Sequence, residues 1–157
     1  MKYRSFALVV VAIIAFQCKQ KEVNGDFSFT KKKEHSLLQA SKTIDLENRG
    51  IGPIDSIAIS EEIDSALASQ GKEVYSRKCN ACHKVGSTFI GPPPNGILER
   101  RTPEWVMNMI LNPVEMLQKD SLAKALFMEF DGQLMTDQQI TVEEARAMLE
   151  YFRTLDP

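Results

Sequence analysis

Cys79-Asn80-Ala81-Cys82-His83 is the stretch on which the reading of this chain turns. It has the form C-x-x-C-H, the attachment pattern for a covalently bound c-type haem. On helical spacing the two thiols and the imidazole stand at i, i+3 and i+4, so all three leave the chain on one face. Two thiols placed in this way can add to the two vinyl groups along one porphyrin edge. The imidazole beside them is left under the iron as its proximal ligand. Other uses of a C-x-x-C pair fit less well. Half a zinc site needs a second pair of ligands, and the chain offers only Cys18 and His35, both far away. A redox dithiol expects a βαβ pattern around it, and no stretch reads convincingly as a strand.

The chain has 157 residues, room for one domain and some tail. Residues 1–18 read as an export signal rather than as fold. Lys2 and Arg4 form a short basic start, and Phe6 to Phe16 is an unbroken apolar run. That run is short for a membrane-spanning helix, which needs about 20 residues, and it suits a signal-peptide core. Ala15-Phe16-Gln17-Cys18 then resembles a bacterial lipoprotein site, with Cys18 as the lipidated residue, although Gln17 and Phe16 depart from the small residues usual there. A plain secretory signal and an uncleaved anchor are the other two readings. All three place the domain outside the cytoplasm. Lipidation also accounts for a third cysteine that would otherwise be a free thiol in an oxidising compartment.

Of 19 basic side chains, Lys2 and Arg4 lie in this leader, which leaves the remainder mildly acidic against 21 carboxylates. Nothing in that balance points to nucleic acid. Residues 19–60 read as a flexible linker, of which a short piece could pack on the domain, with a lysine run, Lys31-Lys32-Lys33, and no sustained helical stripe. A coil of about 40 residues would reach roughly 35 Å. Ile51, Ile54, Ile57 and Ile59 alternate weakly, and Gly52-Pro53 argues against a central strand.

From residue 61 onward the patterning is helical. Ile63, Ala66, Leu67, Val74 and Tyr75, with Gly71, keep helical spacing into the cysteine motif. Thr102-Pro103 opens a helix with a cap and a proline at its first position, and Asn112-Pro113 ends that helix and opens the next. Ser121 to Phe130 forms another. Thr141-Val142-Glu143-Glu144 is a capping box ahead of a stripe of Ala145, Met148, Leu149, Phe152 and Leu155. The expectation is an all-α domain over residues 61–157, with about four to five helices around one haem.

This order of signals resembles class I cytochrome c, the small monohaem kind, over nearly all of residues 65–155. Gly71 and Tyr75, the cysteine motif, Gly91-Pro92, Asn95-Gly96, Arg100-Arg101, Trp105, Asn112-Pro113 and Tyr151-Phe152 carry the resemblance. It implies the cytochrome c fold, one covalent haem c, and a last helix crossing the first at Gly71. It implies a sixth iron ligand from a methionine ahead of the last helix. Met135 is the candidate, although Thr136 stands where the family usually has proline, and Met128 is the rival. The Pro92 carbonyl would accept from the His83 ring. The Trp105 indole would reach a haem propionate or simply pack in the core, and Arg100 or Arg101 would pair with a propionate or belong to a solvated turn.

Iron held by His83 and Met135 has no open position for a substrate, and a thioether ligand favours the reduced state. The implied role is an electron carrier and not an enzyme. It would be exported, lipid-anchored to a bacterial membrane through Cys18, and would pass single electrons between a donor and an acceptor protein of a respiratory chain. An enzyme or gas sensor with an open sixth site, or a fixed electron-entry subunit of a larger oxidoreductase, are the alternatives. Arg77, Lys78, Lys84, Arg100 and Arg101 cluster in sequence around the motif. They read either as a positive rim that steers partners or as ordinary surface charge.

Overall fold

The computed structural model describes residues 39–155, and the expected signal with its Cys18, together with residues 19–38, lies outside them. Among the described residues there are six α-helices and no extended strand: α1 (Ser65–Lys78), α2 (Ile97–Arg100), α3 (Pro103–Leu111), α4 (Pro113–Lys119), α5 (Ser121–Glu129) and α6 (Val142–Arg153). The additional element is α2, a single turn of four residues, too short to leave a periodic signal in sequence. The helix starts follow local chemistry. Asp64, Thr102, Asp120 and Thr141 each cap a helix by accepting a backbone N–H, and Thr141 and Glu144 complete a capping box. Pro103 and Pro113 sit in the first turns of α3 and α4, where no N–H is needed.

Helices α1 and α6 cross at Gly71. A Cβ added there would lie 2.1 Å from the Ala147 carbonyl oxygen and 2.8 Å from the Met148 nitrogen, so only a hydrogen fits. The buried face of α1 is Ala68, Gly71, Val74 and Tyr75. It does not extend back through Ile63, which precedes the helix and is 41% exposed. From α6, Ala145, Met148 and Leu149 are fully buried. Around the crossing Tyr75 meets Tyr151 at 5.4 Å and Phe152 edge-on at 5.7 Å. Such pairs add about 0.5–1.5 kcal/mol beyond their burial. Met107 and Met116 complete the core from α3 and α4.

Residues 39–60 correct the linker reading. They run as a strap across the helices. Asn108, 1% exposed on α3, donates to the Arg49 and Ile54 carbonyls at 2.9 Å each and accepts from the Ile54 N–H at 3.0 Å. Thr102 donates to the Asn48 carbonyl at 2.5 Å, and Glu104 accepts from the Ile57 N–H at 3.1 Å. Ile51, Ile54, Ile57 and Ile59 all pack on the core. The strap lacks a ladder of its own because side chains of the helical domain satisfy its backbone, and those partners are invisible to a local reading.

Gly71→Ala should destabilise the haem-loaded protein by about 2 kcal/mol or more, because overpacking against a backbone costs more than the roughly 1 kcal/mol that alanine gains over glycine in a helix. Denaturant unfolding measures this. A neutral or stabilising result would mean that the helices separate freely at Ala147.

Candidate functional site

Cys79 to His83 lies just beyond α1, as one further turn and not within the helix itself. The helical spacing survives. The Cys79 N–H donates to the Tyr75 carbonyl at 2.9 Å, and the His83 N–H donates to the Cys79 carbonyl at 2.9 Å, an i to i−4 bond. The Tyr75 hydroxyl donates to the His83 carbonyl at 2.7 Å and ties the turn back to the helix. Cys79, Cys82 and His83 therefore line one cleft.

The imidazole is held from two sides. Its Nδ1 lies 2.8 Å from the Pro92 carbonyl, which fixes the ring and makes Nδ1 the protonated nitrogen, so that Nε2 is left to bind a metal. Gly91 supplies the flat wall, since a Cβ there would stand 2.4 Å from the ring Cε1. The Gly91 N–H donates to the Cys82 carbonyl at 3.0 Å, so the loop and the cysteine turn are locked together.

The cleft spans about 1440 Å³ of atom-free space, counting open solvent at its mouth. Its walls are mostly apolar: Ile90, Pro93, Ile97, Met109, Leu126 and Phe127 among them. Met135 also lines it, partly buried, from the irregular stretch between α5 and α6. Met128, the rival, does not line it and is 73% exposed on α5. Met148 reaches the same cleft, but its sulfur lies 3.8 Å from the Cys79 thiol, beside an attachment cysteine. Burial pushes the Cys79 thiol up to about 11, with Cys82 adding and Lys78 opposing. The Tyr75 phenol is raised as well, first by burial and then by Cys79 and Tyr151.

Trp105 lines the cleft and is 3% exposed, but its indole N–H donates to Asp120 at 3.2 Å. Of the two readings open for Trp105, the structure agrees with core packing, its N–H being taken by Asp120. Asp120 takes it while also capping α5 and accepting from Asn48 at 2.7 Å. The arginines are different. Arg100 and Arg101 both line the cleft, and each has a buried Nε with no acceptor. One Arg100 nitrogen donates to the Asn95 carbonyl at 2.9 Å. Sequence reasoning paired an arginine with a propionate but did not find Ser41, which also lines the cleft, because it sits in the presumed linker.

An apolar cleft with two thiols and an imidazole on one turn, a thioether in reach and two orphaned guanidinium donors fits a haem and its carboxylates. Residues 68–156 match the family described as cytochrome c. The fold is similar to the cytochrome c from Rhodothermus marinus, at 38% identity over 74% of this chain and 93% of that one, with a TM-score of 0.65. An engineered cytochrome c from the same organism gives 38% identity over 74% and 94%, with a TM-score of 0.64. Among curated proteins compared by sequence, none gives a match. The chain belongs to the cytochrome c family. It is an all-α haem c electron-transfer protein, and its cofactor is one covalently bound haem c.

Thiolate is the nucleophilic form of cysteine. In the folded haem-free chain, alkylation of Cys79 should therefore be slow at about pH 8 and rise about tenfold per pH unit until its pKa of about 11 is passed, whereas exposed Cys82 reacts readily. Peptide mapping after a short alkylation pulse reads both sites. Equal rates at both cysteines would show that burial does not protect Cys79.

Proposed function

We propose that this chain is an exported, membrane-tethered carrier that moves single electrons between protein partners of a respiratory chain, with His83 and Met135 as the axial iron ligands. The observation that carries the reading is the gathering of Cys79, Cys82, His83 and Met135 around one apolar cleft. Haem c supplies one-electron chemistry when bound. The residues of this chain hold it, orient it and keep water away. Cys79 and Cys82 form the two thioethers, and His83, fixed by Pro92, offers Nε2 to the iron. Met135 would offer its thioether sulfur to the iron from the stretch between α5 and α6, which would leave no position for a substrate. Arg100 and Arg101, which line the cleft with unpartnered Nε–H groups, would pair with the haem carboxylates, since carboxylates in an apolar cleft need charged donors.

The tether rests on residues 1–18, with Cys18 as the lipidated residue. Among the described residues no helix is long and apolar enough to cross a membrane. Of the two readings of the basic cluster, ordinary surface charge is favoured over a steering rim. Arg101 is 1% exposed. Lys84 donates to the Asn80 carbonyl at 2.6 Å and sits 5.6 Å from the Phe89 ring centre. Around the mouth of the cleft, Ile90 and Leu134 are exposed instead, which favours a partner with an apolar contact patch.

The oxidised wild-type protein should show the weak far-red absorption band expected for His/Met ligation, and the reduced form should bind CO poorly. Met135→Ala should lose the band, bind CO at least about tenfold faster and have a lower reduction potential, because the thioether that favours the reduced state is gone. Met128→Ala should change none of these. A wild type that lacks the band and binds CO readily would identify an open-site haem enzyme or sensor and not a carrier.

A further inference from the structure

Arg101 is a buried cation whose holder is unusual. It is 1% exposed, lines the haem cleft, and lies 5.3 Å from the centre of the Trp105 ring. Among the described residues no carboxylate stands within ion-pair distance of it. It is held by the strap. Its Nη1 donates to the Thr43 carbonyl and also, at 2.8 Å, to the Arg100 carbonyl outside the strap, and its Nη2 donates to the Ala40 carbonyl at 2.5 Å. The strap is pinned at the same point by a single side chain. Glu129, at the end of α5, accepts from the Ser41 N–H at 2.8 Å and from the Ser41 hydroxyl at 2.5 Å. Residue 41 thus forms part of the cleft wall and is clipped there from 88 positions away in sequence.

We propose that Glu129 is a positioning residue for the haem charge: by clipping Ser41 it fixes the Ala40 and Thr43 carbonyls, which hold Arg101 against the cleft and so set the reduction potential. The inference rests on the haem-carrier reading of the cleft. A fixed cation in the wall of the haem cleft would stabilise the reduced, less positive state, and more strongly where water is excluded. With the clip released, Arg101 is free to turn its charge toward water, and the potential falls. A carboxylate acting only through space works in the opposite sense, because removing its negative charge raises the potential. The two accounts differ in sign.

The test uses the haem-loaded full chain. The absorption spectrum is recorded first, so that a failure of His/Met ligation is seen separately. Reduction potentials are then compared for wild type, Glu129→Ala and Glu129→Gln. Both variants remove the charge, and only glutamine keeps an acceptor for Ser41. Glu129→Ala should fall below wild type and below Glu129→Gln, where a tenfold shift in the one-electron equilibrium reads as about 59 mV. Glu129→Ala at or above Glu129→Gln overturns the proposal. Arg101→Gln should lower the potential too, and in that background Glu129→Ala should lower it no further. An equal Glu129→Ala shift in both backgrounds also overturns the proposal. If Arg101→Gln does not retain haem, the alanine and glutamine variants of Glu129 decide the matter alone.

Discussion

Nothing larger than a hydrogen fits between helix α1 and the backbone of α6, and the rest of the site hangs on that contact. Gly71 lets the Ala147 carbonyl come so close that the two helices cross without an intervening side chain. The crossing sets Tyr75 against Tyr151 and Phe152. Tyr75 then reaches the His83 carbonyl and holds the cysteine turn. From there the chain passes to Gly91 and Pro92, which position the imidazole ring. A helix-packing constraint is thereby transmitted over a few residues to the orientation of one metal ligand.

The second constraint is electrostatic. The cleft is mostly apolar, yet two guanidinium groups line it with unused donors. Leaving such donors buried without acceptors is costly. In the proposed reading haem carboxylates would accept from these donors and so remove that cost. Trp105 is relieved of the same task by Asp120, which uses one carboxylate to cap α5, receive the indole and hold Asn48 of the strap.

The parts of this arrangement that were legible in sequence are the local ones. The spacing of Cys79, Cys82 and His83, the prolines at the starts of α3 and α4 and the Thr141–Glu144 capping box each depend on neighbours within four residues. The strap was not legible, because its partners are distant: Asn108 meets Ile54 from 54 positions away, and Glu129 meets Ser41 from 88. The weak alternation of Ile51, Ile54, Ile57 and Ile59 was the available signal, and it marked burial rather than a strand. For Trp105 the sequence left two readings open, a propionate partner or core packing, because an indole N–H must find an acceptor and sequence does not say which one; the acceptor is Asp120.

The central claim is that one cleft holds a haem between His83 and Met135. Proton NMR of the reduced, haem-loaded protein tests it directly, because a methionine methyl bound over the porphyrin face is displaced far upfield by the ring current. The account predicts one such methyl signal, absent in Met135→Ala and retained in Met128→Ala. A spectrum with no displaced methionine methyl, or one that survives Met135→Ala, would contradict it.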